Sequence, residues 1–540
     1  MVSPRIKRAP HYNQGMVMVS DPLISTDYWT DLQITHQDVE YLHNYLFDLE
    51  TPLTARELVA VFVNERIRLE RLALQNRREA GGRTYLPKES YQMGDELIFP
   101  SLDWRHGKVT AIRSGINPEL GSFDVLTVEM DGGSERLFAS NLPHHALNDQ
   151  PVTVEDDGFE PDAILREQGY ALEKKIESAF NDDGQLVRIA GRWFPRALLV
   201  DVNVGHLNLA EAVLDMSAGE PLPTSALLKD VALPEGVNPK LAEFSLNLAL
   251  QEDKRFDEVG PAGEVLWCLH RLEPEEVRQA PLFLNYSRIE HDRALLDSQM
   301  LALEVQLDDE LSEITAEQDA GIKEVTLSLI YPHLRAGTLP ISARIRPLFP
   351  TAYESPRVRF TLVDGKTKQK MPGWVVREHG YVYGLRDWYK ANELMPGSLV
   401  RIRRGERPGE VIIEARTYRA TKDWVRTVIV GADGGVVFAM LKQSISAEFN
   451  DRMAFAIPSY EAVDQLWLQD KKRPFEKLVA DMIHEMSKLT PQQHVHAQEL
   501  YSAVNIVRRV PPAPLFALLS NRPEFSHVGD LHFRLSVSEK

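Results

Sequence analysis

Phe256-Asp257-Glu258-Val259-Gly260, followed by the apolar run Val265-Leu266-Trp267-Cys268-Leu269, decides the fold because the chain uses the pattern twice. Near the C-terminus, Phe525-Ser526-His527-Val528-Gly529 leads into Leu531-His532-Phe533-Arg534-Leu535. Each copy reads as two short strands folded back through a Gly turn. Helical segments precede both copies. Leu207 to Ala218, Thr224 to Val231 and Asn238 to Gln251 lead to the first; Phe475 to Leu489, His496 to Val507 and Ala513 to Asn521 lead to the second. Helices and then a hairpin is the order of a winged helix-turn-helix. Such a unit grips a polymer or a protein rather than making bonds.

Working outward, Asp27 to Glu79 is helical by spacing. Thr54 with Glu57 forms a capping pattern ahead of Leu58, Val61 and Phe62. A plain helical pair and a degenerate helix-turn-helix both fit it. Tyr91 to Leu147 changes to short strands separated by glycines, with Asp131-Gly132-Gly133 as a hairpin turn. The acidic 149–162 stretch reads as a linker, and Leu165 to Phe180 as a helix followed by a hairpin from Gly184 to Phe194. The expected architecture is α+β and multidomain, with two winged-helix units plus two small β barrels. Its parts are an N-terminal helical region (1–90), an SH3-like small barrel (91–148), a winged helix (165–285), an acidic helical spacer (286–325), a basic β barrel (326–455) and a C-terminal winged helix (456–540).

The 540 residues carry a net charge of −18, which argues against a protein that coats nucleic acid over its whole surface. The charge is uneven, however. Residues 341–430 hold 18 Lys and Arg against 9 Asp and Glu, a net of +9 that leaves −27 for the remainder. One basic, aromatic-laced β segment in an acidic chain reads first as the electrostatic footprint of a nucleic-acid site and second as a solvated surface that happens to be basic. No run of about 18 apolar residues is present to span a bilayer, and Met1 to Gly15 lacks the apolar stretch of a secretory signal. The expectation is therefore a cytoplasmic protein without a membrane partner. The single cysteine, Cys268, cannot form an internal disulfide and sits in a strand-like run, so an inert buried thiol is expected. Zinc held by cysteine pairs is excluded.

Three segments resemble known families. The Gly94-Asp95 opening strand with Gly107-Lys108-Val109 in the next resembles SH3-like barrels of the Tudor and KOW type, which implies a binding module. Gly219, Pro221, Leu222, Thr224, Arg255, Phe256, Val259, Gly260, Pro261 and Gly263 are similar in order to the HARE-type winged helix. That fold is shared with the N-terminus of the RNA polymerase delta subunit. The resemblance implies transcription- or chromatin-linked work by DNA or protein contact. This chain departs from a DNA reader in that Leu241 to Leu248 carries no basic residue, whereas base and phosphate contacts draw on Arg, Lys, Asn and Gln. The run Gly384 to Val400, with Trp388 and Leu394-Met395-Pro396-Gly397-Ser398, resembles plant-type DNA-binding pseudobarrels, whose fold recurs in recognition domains of some restriction enzymes.

If that last resemblance holds, DNA lies against strands carrying Arg357, Arg359, Lys366, Lys368, Lys370, Arg401, Arg403, Arg404 and Arg407. Strand alternation puts Arg357 with Arg359, and Arg401 with Arg403, on shared faces. Arg508 and Arg509, between two C-terminal helices, are further candidates for phosphate contact. Trp374, Tyr381, Tyr383 and Trp388 read first as core and second as base-stacking platforms. Catalytic signatures are missing. Gly365-Lys366-Thr367 lacks the opening glycine of a phosphate loop, since position 360 is Phe360, and His484-Glu485 lacks a second histidine because position 488 is Lys488. The sequence thus points to a nucleic-acid-binding protein without catalytic activity, metal or cofactor, with DNA as partner ahead of RNA. Its rivals are a protein-interaction scaffold, such as an RNA polymerase accessory factor, and a restriction or defence component.

Overall fold

The computed structural model describes residues 26–79, 82–102, 105–117, 121–148, 160–234, 236–313, 322–431, 434–469 and 473–536. Most of the 149–162 linker reading and the Met1 to Gly15 reading fall outside these residues. The protein is α+β and multidomain, with six sheets among the described residues. It divides into two compact units, residues 1–188 with 192–198, and residues 199–540 with the short turn 189–191.

The first unit starts with Thr26–Asp31 and His36–Leu49, the latter capped reciprocally by Thr35 and Asp38. A two-residue strand, Leu53–Thr54, opens the long helix Ala55–Glu79. Far along the chain, Pro161–Glu167, Gly169–Asn181 and the hairpin Leu186–Ile189/Arg192–Pro195 return to the same core. Leu53–Thr54 pairs with Arg192–Pro195, the second hairpin strand. Leu42, Leu46, Leu58, Phe62, Leu172, Ile176, Phe180 and Trp193 bury together, the helical ones at four-residue spacing. Between the helices sits an inserted sheet of Arg83–Thr84, Glu96–Phe99, Arg105–Ser114, Asp124–Met130 and Ser134–Ser140, in that order. No ladder among the described residues closes it. Tyr85 instead donates to Ala139 O at 2.6 Å, joining its two ends through a side chain.

The same winged arrangement recurs twice in the second unit. Val204–Met216, Leu222–Pro223, Thr224–Leu227, Pro239–Glu252 and the hairpin Phe256–Glu258/Leu266–Leu269 form one copy. Phe475–Ser487, Val495–His496, Ala497–Val507, Pro512–Asn521 and Phe525–Gly529/His532–Leu535 form the other. In all three units the two-residue strand pairs with the second strand of the hairpin. The described residues therefore hold three such units. The helix and hairpin at 165–194 belong with the N-terminal helices, not with the unit that follows.

Between the last two lies a seven-stranded half-barrel, ordered Glu324–Ser328, Leu399–Arg404, Glu410–Ala415, Arg357–Asp364, Lys370–Val376, Tyr381–Tyr383, Thr338–Pro340. Val358, Phe360, Leu362, Val375, Val400, Ile402, Val411 and Ile413 fill it, one face of each strand, with Trp388 and Tyr389 of Arg386–Ala391. A long hairpin, Thr417–Val430/Val436–Ala447, leaves the sheet, and its distal residues Val428, Val436 and Phe438 enter the core of the third winged unit.

The segment read as an acidic spacer is part of that core. Met300 and Leu303 of Ser298–Leu307 pack into it, and the acidic run behind them is buried. Arg509 is the reason these charges are tolerated. Its Nη2 lies 2.5 Å from Asp309 Oδ1 and 2.8 Å from Glu310 Oε1, with all three side chains at 7% exposure or less. His333 Nε2 meets Glu310 at 3.1 Å, and the Tyr501 hydroxyl donates to Asp309. Burial pushes Glu310 up, but the Arg509 and His333 charges outweigh it and hold the carboxyl below its ordinary range.

His496 caps Ala497–Val507, accepting from Gln498 N at 3.0 Å while Arg452 sits 2.9 Å from its other ring nitrogen. Burial, then Arg452 and His532, push it down to about 4. The unfolded chain takes up this proton near pH 6.5 and the folded one near pH 4, so stability is full above pH 6.5 and falls as pH drops across that window. A loss of up to about 3 kcal/mol in denaturant melts between pH 7 and 4 is expected. That component should be absent in His496→Asn, which retains a capping side chain.

Candidate nucleic-acid interface

Arg357 and Arg359 do share a face, as alternation requires, but the second winged unit covers it. Arg357 bonds Asp257 through Nη1 and donates to Val277 O. Arg359 pairs with Glu220 at 3.5 Å and stacks over Trp374, 5.7 Å from its centroid. Arg359 N also donates to Val259 O, extending the sheet toward the wing. Val259, Cys268 and Val277 pack there on Trp374, Val376 and Tyr381. Trp388 lies in the half-barrel and donates to Asp364 at 2.8 Å. Trp374, Tyr381 and Trp388 are thus core, and the expectation of DNA along this face is corrected.

The other candidates divide in the same way. Arg401 pairs with Glu324 at 3.4 Å, Lys370 with Glu410 at 2.6 Å, and Arg404 donates to Pro347 O. Arg403 has no carboxylate partner among the described residues, but lies opposite Glu324 in the ladder, at the far end of its strand from the long hairpin. Arg407 is exposed beside Glu410. Arg508 donates to Arg473 O, and Arg509 is fully buried, so the pair does not present two cations to a phosphate. A count along the chain registers charge; it does not register the Asp257, Glu220 or Asp309 that arrives from elsewhere.

What stays open is a surface that the sequence divides. Lys366 and Lys368 sit in the exposed turn after Arg357–Asp364, and Lys366 Nζ donates to Thr417 Oγ1 at 2.9 Å, which places the turn against the root of the long hairpin. Tyr418, Arg419 and Lys422 follow on that hairpin, all exposed. Trp424 is 58% exposed, and Lys442, directly across the ladder, holds its ammonium 5.4 Å from the indole centroid. Lys422, Trp424 and Lys442 share one face, since paired residues point the same way and i and i+2 align. Lys366, Lys368, Arg419, Lys422 and Lys442 have no carboxylate partner among the described residues. Alternating Lys422-Asp423-Trp424 was the available signal for this face.

The helices that would enter a groove are less suited. Pro512–Asn521 is covered by Met300 and Leu303, with seven of its ten residues buried. Pro239–Glu252 offers Lys240 alone among cations, and Gly169–Asn181 pairs Lys174 with Glu177 at 2.7 Å.

Asp257, His270 and Glu273 form a separate cluster beside Arg357. Burial, and then the neighbouring Asp257, push Glu273 up to about 8. Cys268 is buried, and that burial pushes its thiol up to about 12, as expected of an inert thiol.

No protein-family model matches the chain, and no solved structure matches it. A stretch of 151 residues is 29% identical to elongation factor Ts of Erythrobacter litoralis, covering 26% of this chain and 49% of that protein. The chain thus spans about half the length of that curated relative.

Proposed function

We propose that this protein binds nucleic acid without transforming it, DNA ahead of RNA, through the surface formed by the 365–370 turn and the long hairpin. The observation that carries the reading is a set of five cations without a carboxylate partner among the described residues, Lys366, Lys368, Arg419, Lys422 and Lys442, on the turn and hairpin that also carry the exposed rings of Tyr418 and Trp424. Cations that neutralise phosphates, next to a ring on which a base can stack, are what an unpaired strand requires. The covered or acidic helices of the winged units favour single strands over duplex. The HARE resemblance directs the role toward transcription or chromatin. Fluorescence anisotropy of labelled single-stranded and duplex oligonucleotides with the full chain tests it. Tighter binding of the single strand is expected, and binding of neither overturns the reading.

One observation favours a second reading, a scaffold that docks a protein. Leu209, Ala212 and Met216 line one exposed stripe of Val204–Met216 at three- and four-residue spacing, with Leu209 48% and Met216 87% exposed. Retention of a partner after nuclease treatment, lost on Leu209→Lys with Met216→Lys, distinguishes it.

A further inference from the structure

Three ligand-bearing side chains of the second winged unit converge although nothing in their spacing marks them. Asp257 lies on Phe256–Glu258, His270 follows Leu266–Leu269, and Glu273 stands three residues further on. The antiparallel pairing of Asp257 with Cys268 brings the two segments together. One donor atom from each of the three lies within 4.8 Å of the others. His270 Nδ1 is 3.3 Å from Glu273 Oε2 and 4.0 Å from Asp257 Oδ2. Ligands held about 2.1 Å from one ion stand about 3.0–3.4 Å apart when adjacent and about 4.2 Å apart when opposite. Small side-chain rotations would bring all three onto one centre.

Glu273 supplies an independent reason to expect a ligand there. Its side chain is fully buried, and neither carboxyl oxygen accepts a hydrogen bond. A carboxylate taken out of water without a donor is costly, so such a group is ordinarily paired or bound to a metal. Arg357 offsets part of that charge but supplies no donor. The guanidinium bonds Asp257 and stops 3.7 Å from Glu273, and no hydrogen bond is made. His270 is 41% exposed on the side chain and gives solvent access to the group.

We propose that Asp257, His270 and Glu273 form a binding site for a divalent transition-metal ion of the zinc class. One imidazole with two carboxylates suits zinc and its neighbours, whereas calcium and magnesium favour oxygen-only shells. Arg357 is a competitor for Asp257, and Arg278 adds positive charge nearby. The site needs no nucleic acid, so it stands apart from the function proposed above.

The test is titration of the chelator-treated full chain with Zn²⁺ by calorimetry, with Co²⁺ absorption bands as a second readout. One ion per chain is expected. Affinity should fall at least tenfold in His270→Ala and in Glu273→Gln, and rise in Arg357→Gln. His270→Ala removes an exposed side chain, and thermal melts without metal establish that it folds. Absence of zinc binding overturns the proposal. So does an isotherm that both substitutions leave unchanged, which would place the ion on other histidines such as His494 and His532.

Discussion

Arg509→Ala is expected to destabilise the protein by about 3–5 kcal/mol, the loss that follows when one partner of a buried ion pair is removed and its counterions stay behind. Two carboxylates, Asp309 and Glu310, would remain at 0% and 7% side-chain exposure with the guanidinium gone. Tyr501 and His333 cannot neutralise both. The expected drop is roughly 10 °C in the melting temperature of the transition that includes the third winged unit. The triple change Arg509→Met, Asp309→Asn and Glu310→Gln should recover much of this, because no uncompensated charge remains buried. A single-site loss below about 1 kcal/mol would mean that the network is not the anchor described here.

Trp424→Ala is the second substitution with a large expected effect, on binding rather than folding. Stacking of one base on an aromatic ring contributes about 1–3 kcal/mol, so single-strand affinity should fall about tenfold or more. The side chain is more than half exposed, and its removal opens no cavity, so melting should be nearly unchanged. Trp424→Phe keeps a ring and should retain most of the affinity. An equal loss in both variants would attribute the effect to something other than stacking.

The two Gly-turn hairpins at Phe256 and Phe525 were legible because each unit is contiguous in the chain. The first unit was not, because the inserted sheet from Arg83 to Ser140 separates Ala55–Glu79 from the helices and hairpin that complete it. Leu53–Thr54 finds its partner strand, Arg192–Pro195, only in three dimensions. The positive charge of residues 341–430 was legible as a sum, but its pairing was not. Arg357 and Arg359 are held by acids about a hundred residues or more away in sequence, and Arg509 by Asp309. The segment with the acidic run Asp308-Asp309-Glu310 read as a spacer because composition carries no information on burial. Conversely, Lys366 and Lys442 are distant in the chain but belong to one hairpin region, Lys366 against its root and Lys442 further out on its ladder.

The most direct measurement is the salt dependence of single-strand binding by the full chain, compared with a variant carrying Lys366→Gln, Lys368→Gln, Arg419→Gln, Lys422→Gln and Lys442→Gln. Each phosphate neutralised on a single strand contributes about −0.7 to the slope of log affinity against log salt. If all five cations meet phosphates, the variant's slope should be shallower by about 3.5. A slope identical in the two proteins would contradict the assignment of the nucleic-acid surface to this hairpin and turn.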